Sequence, residues 1–411
     1  MAERCGADSR RTLAAFLLVQ AVVAAVCGGV VWARMRSADV TRTEPALVAT
    51  PRVVLPRHDL PQVVSDTQLG LVLRKLRPQF RRANPQINHV DHALRCWGVE
   101  VMFADEKFLS GDEMRRLLTD QNAFAAAWGD KTRPLLIAKD NGIAVRTQQG
   151  QASASHVDHT LATLAECGTP LDFPIHAAGA NATLRDLLHR AIDTFDINQH
   201  EYEWTALALA LYANDGRPWL TATGERVDFD RLARRIMRQR YGQGVCYGNH
   251  RLYSLTILLR VDDEQDILSD VARRDVMDHL REATRILVGN QHADGYWDKN
   301  WHNLKADAKD EDMALGGPLP RRILATGHAL EWWAMAPEEL HPPQDTLVRA
   351  GQWLVREIET MSDKSIADNY TFLSHAGRAL SLWRGETPAD TLQRLPTRPL
   401  QTVQHPSGGR E

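Results

Sequence analysis

The side chains best suited to chemistry in this sequence are histidines that begin short helices rich in Ala and Leu. They recur six times along the chain, at His89, His156, His200, His250, His328 and His375. A histidine in the first turn of a helix lies near the positive end of the helix dipole, which disfavours the imidazolium form. Neutral imidazoles can act as general bases, bind a metal ion or hydrogen-bond to a polyol. The alternative for each histidine is a structural role, in which it caps a turn or braces neighbouring helices.

One helix start combines an imidazole, a carboxylate and an indole. His328, Glu331 and Trp332 are spaced i, i+3 and i+4, so they share one helix face. Such a face suits a sugar ring, and we predict that His328 and Glu331 form a catalytic acid/base pair. The alternative is a structural His–Glu pair inside the fold.

A second carboxylate stands at another helix start. Glu203 shares a helix face with His200 and is the third residue that we predict to be catalytic. Glu203 and Glu331 could divide the acid and base roles of glycoside cleavage, depending on the separation of their carboxyl groups.

The predicted ligand-binding residues lie at the helix starts and in an aromatic loop from Asp294 to His302. They are His156, His159, His250, Asp294, Trp297 and Trp301. A zinc site using Cys246, His250 and either His156 or His159 is an alternative. The sequence lacks the paired cysteines that make zinc motifs specific, and no glycine-rich phosphate loop follows a strand. We therefore predict neither a metal nor a cofactor.

Alternating helices would position these side chains. Apolar residues at three- and four-residue spacing predict six outer helices, each followed by an inner helix, between residues 66 and 384. One outer helix is predicted over 111–128, and Ser110, Asp228 and Ser269 are candidate helix caps. The string His-Val-Asp-His occurs at both 89–92 and 156–159, which indicates a repeat. Consecutive helical hairpins can close into a ring, because each hairpin buries its apolar face only against its neighbours.

The segment Gln291–Trp297 reads Gln-His-Ala-Asp-Gly-Tyr-Trp. It resembles the Gln-x-x-x-Gly-x-Trp core of the repeat in squalene and other triterpene cyclases. With the alternating helices, the chain is similar to the α/α-toroid group that includes terpenoid cyclases and protein prenyltransferases. The resemblance implies that Gln291 and Trp297 brace adjacent helices. The acidic Asp-x-Asp-Asp run of the cyclases and the Asp-x-Cys zinc arrangement of the prenyltransferases are missing from the sequence, so the resemblance implies a fold and not terpene chemistry.

Composition and charge narrow the possible partners. The chain is 44% hydrophobic and 25% charged, as in globular proteins, and its net charge of −3 gives no basic face for nucleic acid. Leu13 to Ala33 is an uncharged, mostly apolar run of the length that spans a bilayer. We predict a transmembrane anchor that places the body of the protein outside the cytoplasm. A cleaved signal peptide is the alternative.

The predicted fold is all-α: an (α/α) toroid of about six helical hairpins with one small β-hairpin insertion at Asn141-Gly142, preceded by a single transmembrane helix. The predicted segments are a short N-terminal tail at 1–12, the anchor at 13–33, a linker at 34–64, the toroid domain at 65–385 and a disordered tail at 386–411.

The predicted function is that of a membrane-anchored protein that binds a carbohydrate ligand in a cavity lined by His, Glu and Trp. Two alternatives stay open, a non-catalytic scaffold or partner-binding domain and an isoprenoid-processing enzyme. The sequence alone does not decide whether the protein is an enzyme.

Overall fold

The computed structural model describes residues 14–30, 43–147, 150–199, 201–303 and 318–395. These residues are mostly helical, which confirms the predicted helical character of the chain. Contacts divide the chain into two compact units. One comprises residues 1–44 and 219–226, and the other comprises residues 45–218 and 227–411.

Helix α1, over residues 14–30, belongs to the smaller unit, and its side chains are exposed. Within the described ranges, no helix combines the length and the apolar character needed to cross a membrane. The predicted transmembrane helix at Leu13–Ala33 is therefore wrong, and so is the single-pass membrane localisation that depends on it. Residues 14–30, the part of this run that the structure describes as helical, are fewer than the roughly 20 residues that a bilayer-spanning helix requires.

Six helices of the larger unit are buried along most of their length. They are α3 (Ile87–Trp97), α6 (His159–Glu166), α8 (Glu203–Tyr212), α10 (Asn249–Gln265), α12 (Pro318–Met335) and α15 (Tyr370–Leu382). Each packs against the next along the chain, and α15 packs against α3, so the six inner helices form a closed ring. Their sequences are apolar on several faces because neighbours cover them on several sides.

Six further helices pack on the outside of this ring. They are α2 (Asp66–Lys75), α4 (Gly111–Thr119), α7 (Leu184–Thr194), α9 (Phe229–Met237), α11 (Asp270–Gly289) and α13 (Gln344–Thr360). Ser110, Asp228 and Ser269 cap α4, α9 and α11 as predicted, each accepting a hydrogen bond from a backbone N–H of the first turn.

The outer helix predicted over 111–128 is broken in two. Asp120 has an extended backbone, and its carboxylate accepts a hydrogen bond from the backbone N–H of Asn122, so it caps a new helix, α5 (Gln121–Trp128). Two other short helices are α14 (Asp363–Asp368) and α16 (Pro388–Arg394).

The described residues form three two-stranded sheets. Their strands are β1 (Leu136–Lys139) with β2 (Gly142–Val145), β3 (Pro174–Ala177) with β4 (Ala180–Thr183), and β5 (Trp219–Leu220) with β6 (Arg226–Val227). The Asn141-Gly142 hairpin is confirmed, with Lys139 opposite Gly142. The prediction of a single hairpin is wrong, because the later strands are short and have few of the β-branched residues that indicate a strand.

Two segments predicted to lack structure belong to the larger unit. In the predicted linker, the backbone N–H groups of Val48 and Leu60 donate to the carbonyl groups of Tyr212 and Trp383, at the C-terminal ends of α8 and α15. Helix ends have carbonyl groups without partners in the helix, and this segment supplies donors for them. Residues of the predicted linker thus contact inner helices, and Pro388–Arg394 of the predicted tail form α16. Residues 1–12 and 396–411 lie outside the described ranges.

Helices α12 and α15 approach each other closely at Gly327. A Cβ atom on this glycine would lie 2.9 Å from the backbone nitrogen and 3.0 Å from the Cα of Ala376. Because only hydrogen fits there, the two backbones meet directly, and the neighbouring residues His328 and His375 are brought side by side.

We predict that Gly327→Ala lowers the free energy of unfolding by about 1–3 kcal/mol, the usual cost of overpacking a core. Gly289→Ala is the matched control, because no atom lies within 4 Å of a Cβ at that helical position. The control should be neutral or stabilising by about 0.5–1 kcal/mol, since alanine favours a helix more than glycine does. Urea unfolding measures both, and equal effects would contradict the close approach.

Candidate functional site

Polar side chains form two layers inside the ring of inner helices. Four inner helices carry a histidine followed three residues later by a polar side chain on the same helix face. The pairs are His92 and Arg95, His250 and Tyr253, His328 and Glu331, and His375 and Arg378. The histidines make one layer, and the Arg, Tyr and Glu side chains make a second layer one helical turn further along.

Six imidazole rings lie in the first layer, each in contact with at least one neighbouring ring. We call these six residues the histidine cluster. Its members are His92, His156, His159, His250, His328 and His375. The shortest ring-centroid distances are 3.8 Å for His328–His375, 4.5 Å for His92–His159 and 4.7 Å for His250–His328. Helix α8 contributes Trp204 instead of a histidine, with its indole 4.5 Å from the rings of both His159 and His250.

The cluster differs from the predicted set of helix-start histidines. His89 lies one turn nearer the start of α3 and contacts Phe80 and Tyr370, whereas His92 joins the cluster. His200 lies outside the described residues. Helix α6 begins at His159 and not at the predicted His156. His159 therefore belongs to the cluster in addition to His156. Sequence periodicity locates a helix to within about a turn, and one turn decides which histidine enters the cluster.

Glu331 orients two of the imidazoles. Its Oε2 accepts hydrogen bonds from Nδ1 of His375 at 3.0 Å and from Nδ1 of His328 at 3.2 Å. Nη1 of Arg95 also approaches Nδ1 of His375, but at the longer distance of 3.4 Å. An ionised carboxylate can only accept, so both Nδ1 atoms carry the hydrogen and both Nε2 atoms carry a lone pair.

Three further imidazoles are oriented in the same way. Nδ1 of His159 lies 3.0 Å from a carboxylate oxygen of Asp91, and Nδ1 of His156 lies 3.0 Å from one of Glu201. Nδ1 of His92 donates to the backbone carbonyl of Asn88 at 2.8 Å. In each case an acceptor holds Nδ1–H and leaves the lone pair on Nε2.

Several of these nitrogen atoms are buried without a hydrogen-bond partner in the described part of the chain. They are Nε2 of His159, His328 and His375 and both ring nitrogens of His250. An unsatisfied buried polar group costs about 1–3 kcal/mol, and native proteins contain few of them. Their concentration in one cluster indicates a set of lone pairs arranged to bind a cation.

Four imidazoles of the cluster are held neutral. Burial lowers the pKa of His92, His250, His328 and His375. Neighbouring histidines lower the pKa of His92, His250 and His375 further, because two protonated rings would repel each other. Neutral imidazole is the form that binds metals and bases.

Glu331 is the ionised centre of the second layer. Its Oε1 accepts hydrogen bonds from Nη1 of Arg95 at 2.8 Å and from Nη1 of Arg378 at 2.5 Å. Glu166 pairs with the same two guanidinium groups, at 2.6 Å and 3.1 Å, and accepts a hydrogen bond from the Tyr253 hydroxyl. Burial raises the pKa of Glu331, but Arg95, His375 and Arg378 outweigh it and hold this pKa well below its usual range.

The predicted catalytic residues are only partly brought together. His328 and Glu331 are in contact, as their spacing predicts, but the paired guanidinium groups keep Glu331 ionised, which disfavours a role as proton donor. Glu203 is buried, which raises the pKa of its carboxyl group, and it accepts a hydrogen bond from the Tyr202 backbone N–H at 3.1 Å. In the described residues, no hydrogen bond or ion pair joins Glu203 to Glu331. The predicted catalytic roles of all three residues stay predictions.

The aromatic loop supports the fold. Trp297 and Trp301 are buried, and their indole N–H groups donate to the carbonyls of Leu287 at 2.8 Å and Tyr247 at 2.9 Å. Both rings therefore brace the loop, and their predicted role in ligand binding stays a prediction. Gln291 donates to the carbonyl of Thr346 at the start of α13, 2.9 Å away. Asp294, the remaining predicted ligand-binding residue of the loop, is exposed.

Cys246 lies beside the histidine cluster. Its Sγ atom and one nitrogen each of His250 and His328 all lie within 4.8 Å of one another. Cys246 and Tyr247 have φ values of 47° and 58°, a conformation that non-glycine residues adopt only where the surrounding structure imposes it. The structure therefore groups Cys246 and His250 of the alternative zinc site with His328, and not with His156 or His159.

Sequence reasoning missed His92, Asp91, Arg95, Glu166 and Arg378. A sequence pattern could have identified the first layer. A histidine followed three residues later by a polar residue recurs on four inner helices. No pattern along the chain shows that Glu166 and Arg378, which are far apart in sequence, form an ion pair.

His89 allows a test of how burial controls the histidines of α3. Burial lowers the pKa of His89 to about 4, against about 6.5 in the unfolded chain. The unfolded chain therefore binds more protons between these values, and stability falls as the pH falls from 6.5 to 4. We predict that His89→Leu reduces, by about 3 kcal/mol, the loss of unfolding free energy that occurs over this pH range.

The measurement is urea unfolding at several pH values between 7 and 4, with His176→Leu as the control at a less buried position. The control should keep the pH dependence of the unaltered protein. Parallel pH profiles for the unaltered protein and His89→Leu would contradict the neutral, buried state of His89.

No family model, curated protein or solved structure matches this chain. The resemblance to triterpene cyclases therefore stays a prediction, and the geometry of the histidine cluster is the basis for assigning a function.

Proposed function

We propose that this protein is a metalloprotein whose histidine cluster binds a late first-row transition metal ion, with Zn²⁺ as the reference case. The observation that carries the proposal is the state of the buried imidazoles. The Nδ1–H groups of His159, His328 and His375 are held by carboxylate oxygens, while their Nε2 atoms are buried without a partner in the described residues. Histidines that ligate metals almost always donate their other ring N–H in this way.

The spacing of one trio, which we call the first trio, suits a single ion. Its members are His250, His328 and His375, with ring centroids 3.8, 4.7 and 5.9 Å apart. A zinc–nitrogen bond is about 2.0–2.1 Å long, so the rings of a tetrahedral site have centroids about 5 Å apart. The 4.7 Å separation of His250 and His328 is close to this value, and the Cys246 Sγ atom and one nitrogen of each of these two rings all lie within 4.8 Å of one another.

The charges around the cluster also favour a cation. Four carboxylates and two guanidinium groups contact the histidines or one another in this region. These groups are Glu331, Glu166, Asp91 and Glu201 on one side and Arg95 and Arg378 on the other. Carboxylates beside the imidazoles favour a bound cation.

A sugar ring fits this site less well than an ion does. His328, Glu331 and Glu203 are only 2%, 1% and 3% exposed, so a sugar could not reach them unless the helices moved apart. Imidazole nitrogens suit zinc, copper, iron and nickel, whereas a polyol is bound mainly by carboxylates and amides that remain accessible. Carbohydrate binding stays a prediction from the sequence.

We predict that the full-length protein, stripped with a chelator and refilled with Zn²⁺, retains the ion through gel filtration. The double variant His328→Ala/His375→Ala should lose one equivalent, because it removes two of the three imidazoles of the first trio. His279→Ala is the matched control, a histidine on outer helix α11 that packs against Tyr241. Mass spectrometry of bound metal makes the measurement. Sub-stoichiometric Zn²⁺ in the unaltered protein would overturn the proposal.

A second prediction concerns the orienting role of Glu331. In Glu331→Gln the shape is kept, but an amide N–H₂ directed at both Nδ1 atoms can only donate, so the ring hydrogens must move to Nε2. Since Nε2–H cannot coordinate, we expect metal affinity to fall about 10–100-fold, the usual effect of losing such a partner.

Competition with a chromophoric chelator measures this affinity, and circular dichroism checks that the variant is folded. Glu338→Gln, at an exposed turn, is the control and should bind as tightly as the unaltered protein. Unchanged affinity in Glu331→Gln would show that the carboxylate does not orient the ligands.

A further inference from the structure

Cys246 forms a group of three potential metal ligands with His250 and His328 at one side of the histidine cluster. The Cys246 Sγ atom and one nitrogen of each ring all lie within 4.8 Å of one another. Zinc–sulfur bonds are about 2.3 Å long and zinc–nitrogen bonds about 2.0–2.1 Å, so two ligand atoms of a tetrahedral ion are about 3.3–3.6 Å apart. Small rotations of the three side chains would bring the donor atoms to this spacing.

Both imidazoles of this group have nitrogen atoms that lack a hydrogen-bond partner. The two rings are each 2% exposed, and both nitrogens of His250 and Nε2 of His328 are buried without a partner in the described part of the chain. Nδ1 of His328 is held by Glu331, so Nε2 is the nitrogen that is left to bind a metal. An ion beside Cys246 would satisfy a buried nitrogen on each ring, each of which otherwise costs about 1–3 kcal/mol.

The backbone that carries the Cys246 thiol is held in a strained conformation. Cys246 and Tyr247 have φ values of 47° and 58°. The indole N–H of Trp301 donates to the carbonyl of Tyr247 at 2.9 Å, and the side-chain amide of Asn249 donates to the carbonyl of Cys246 at 3.1 Å. Such conformations cost about 1–3 kcal/mol and are concentrated at active sites and ligand-binding sites. These contacts therefore hold the thiol beside the two imidazoles before an ion binds.

The group offers three protein ligands and not four. His375 is not a member of it, because the donor atoms of His375 are grouped with those of His328 and Glu331. Catalytic zinc sites have three protein ligands and a water molecule or substrate in the fourth position, whereas structural zinc sites have four protein ligands. Cys246 is partly exposed while both imidazoles are buried, so the group is nearest to solvent at Cys246.

We infer that Cys246 binds the metal ion as a thiolate together with His250 and His328, and that the fourth position of the ion takes a small exchangeable ligand such as water. A sulfur–metal bond forms, and the thiol proton passes to solvent. The inference rests on the proposed function, because it requires that the cluster bind an ion. It keeps two imidazoles of the first trio as ligands and places His375 beside the ion. Thiolate and imidazole ligands together suit zinc, copper and iron and disfavour magnesium and calcium.

The thiolate is tested with Co²⁺, which occupies tetrahedral zinc sites and absorbs light. The full-length protein is stripped with a chelator, refilled with Co²⁺ and compared with Cys246→Ala and Cys167→Ala. We expect a near-ultraviolet sulfur-to-cobalt charge-transfer band in the unaltered protein and its loss in Cys246→Ala. Cys167 is the matched control, a second partly exposed free cysteine whose Sγ donates to the carbonyl of Leu94 at 3.5 Å, so Cys167→Ala should keep the band.

Circular dichroism checks that each variant is folded. Cys246→Ser, in which the side chain has nearly the same size, replaces Cys246→Ala if that variant does not fold. A band that persists without the Cys246 sulfur would show that another cysteine binds the ion, and it would overturn the assignment.

The open fourth position is tested by adding azide to the Co²⁺-loaded protein. Azide that enters this position changes the ligand set of the ion, so the visible absorption bands should shift. Bands that do not move at saturating azide would overturn the open position.

The outcomes separate this inference from the proposed function. Bound Co²⁺ without a charge-transfer band in the unaltered protein would overturn the thiolate ligand and leave the proposed function intact. No bound ion in the unaltered protein would overturn both.

Discussion

The buried carboxylate of Glu331 is the interaction on which the inner ring depends. It joins three helices directly, α12 through its own backbone, α3 through Arg95, and α15 through His375 and Arg378. Glu166 of α6 and Tyr253 of α10 extend the same network, so five of the six inner helices meet in one set of hydrogen bonds and ion pairs. Burying a charge costs several kcal/mol unless its partners are present, so the network is stable only when the ring is closed.

The two polar layers depend on each other. The guanidinium groups of Arg95 and Arg378 keep Glu331 ionised, and the ionised carboxylate in turn holds the hydrogen of His328 and His375 on Nδ1. Burial lowers the pKa of His328, and the two arginines lower it further against the opposing effect of Glu331. The second layer thus keeps these two rings neutral, with their lone pairs on Nε2. The ion-pair network and the histidines proposed to bind a metal are therefore one connected arrangement of side chains.

Local patterns along the chain predicted much of the helical framework. Helix α11 (Asp270–Gly289) follows its predicted cap Ser269, because an apolar stripe and a cap act over a few residues. Patterns along the chain gave wrong predictions in two kinds of segment. Asp120 caps a new helix inside a continuous periodic stretch, and residues 45–64, which have no period, pack against the ends of inner helices. The apolar run at Leu13–Ala33 indicates a membrane helix by composition alone, but the described helix is too short for one.

By itself the sequence determined the helical framework and the pairing of His328 with Glu331, because i, i+3 spacing on one helix is a local property. Only the tertiary structure decided which histidines meet. His92 and not His89 enters the cluster because the closed ring brings that turn of α3 against α6 and α15. The partners of Glu331 on α3 and α15 are separated from it by 236 and 47 residues. Ion pairs between such distant residues form through the packing of whole helices, and no spacing along the chain encodes them.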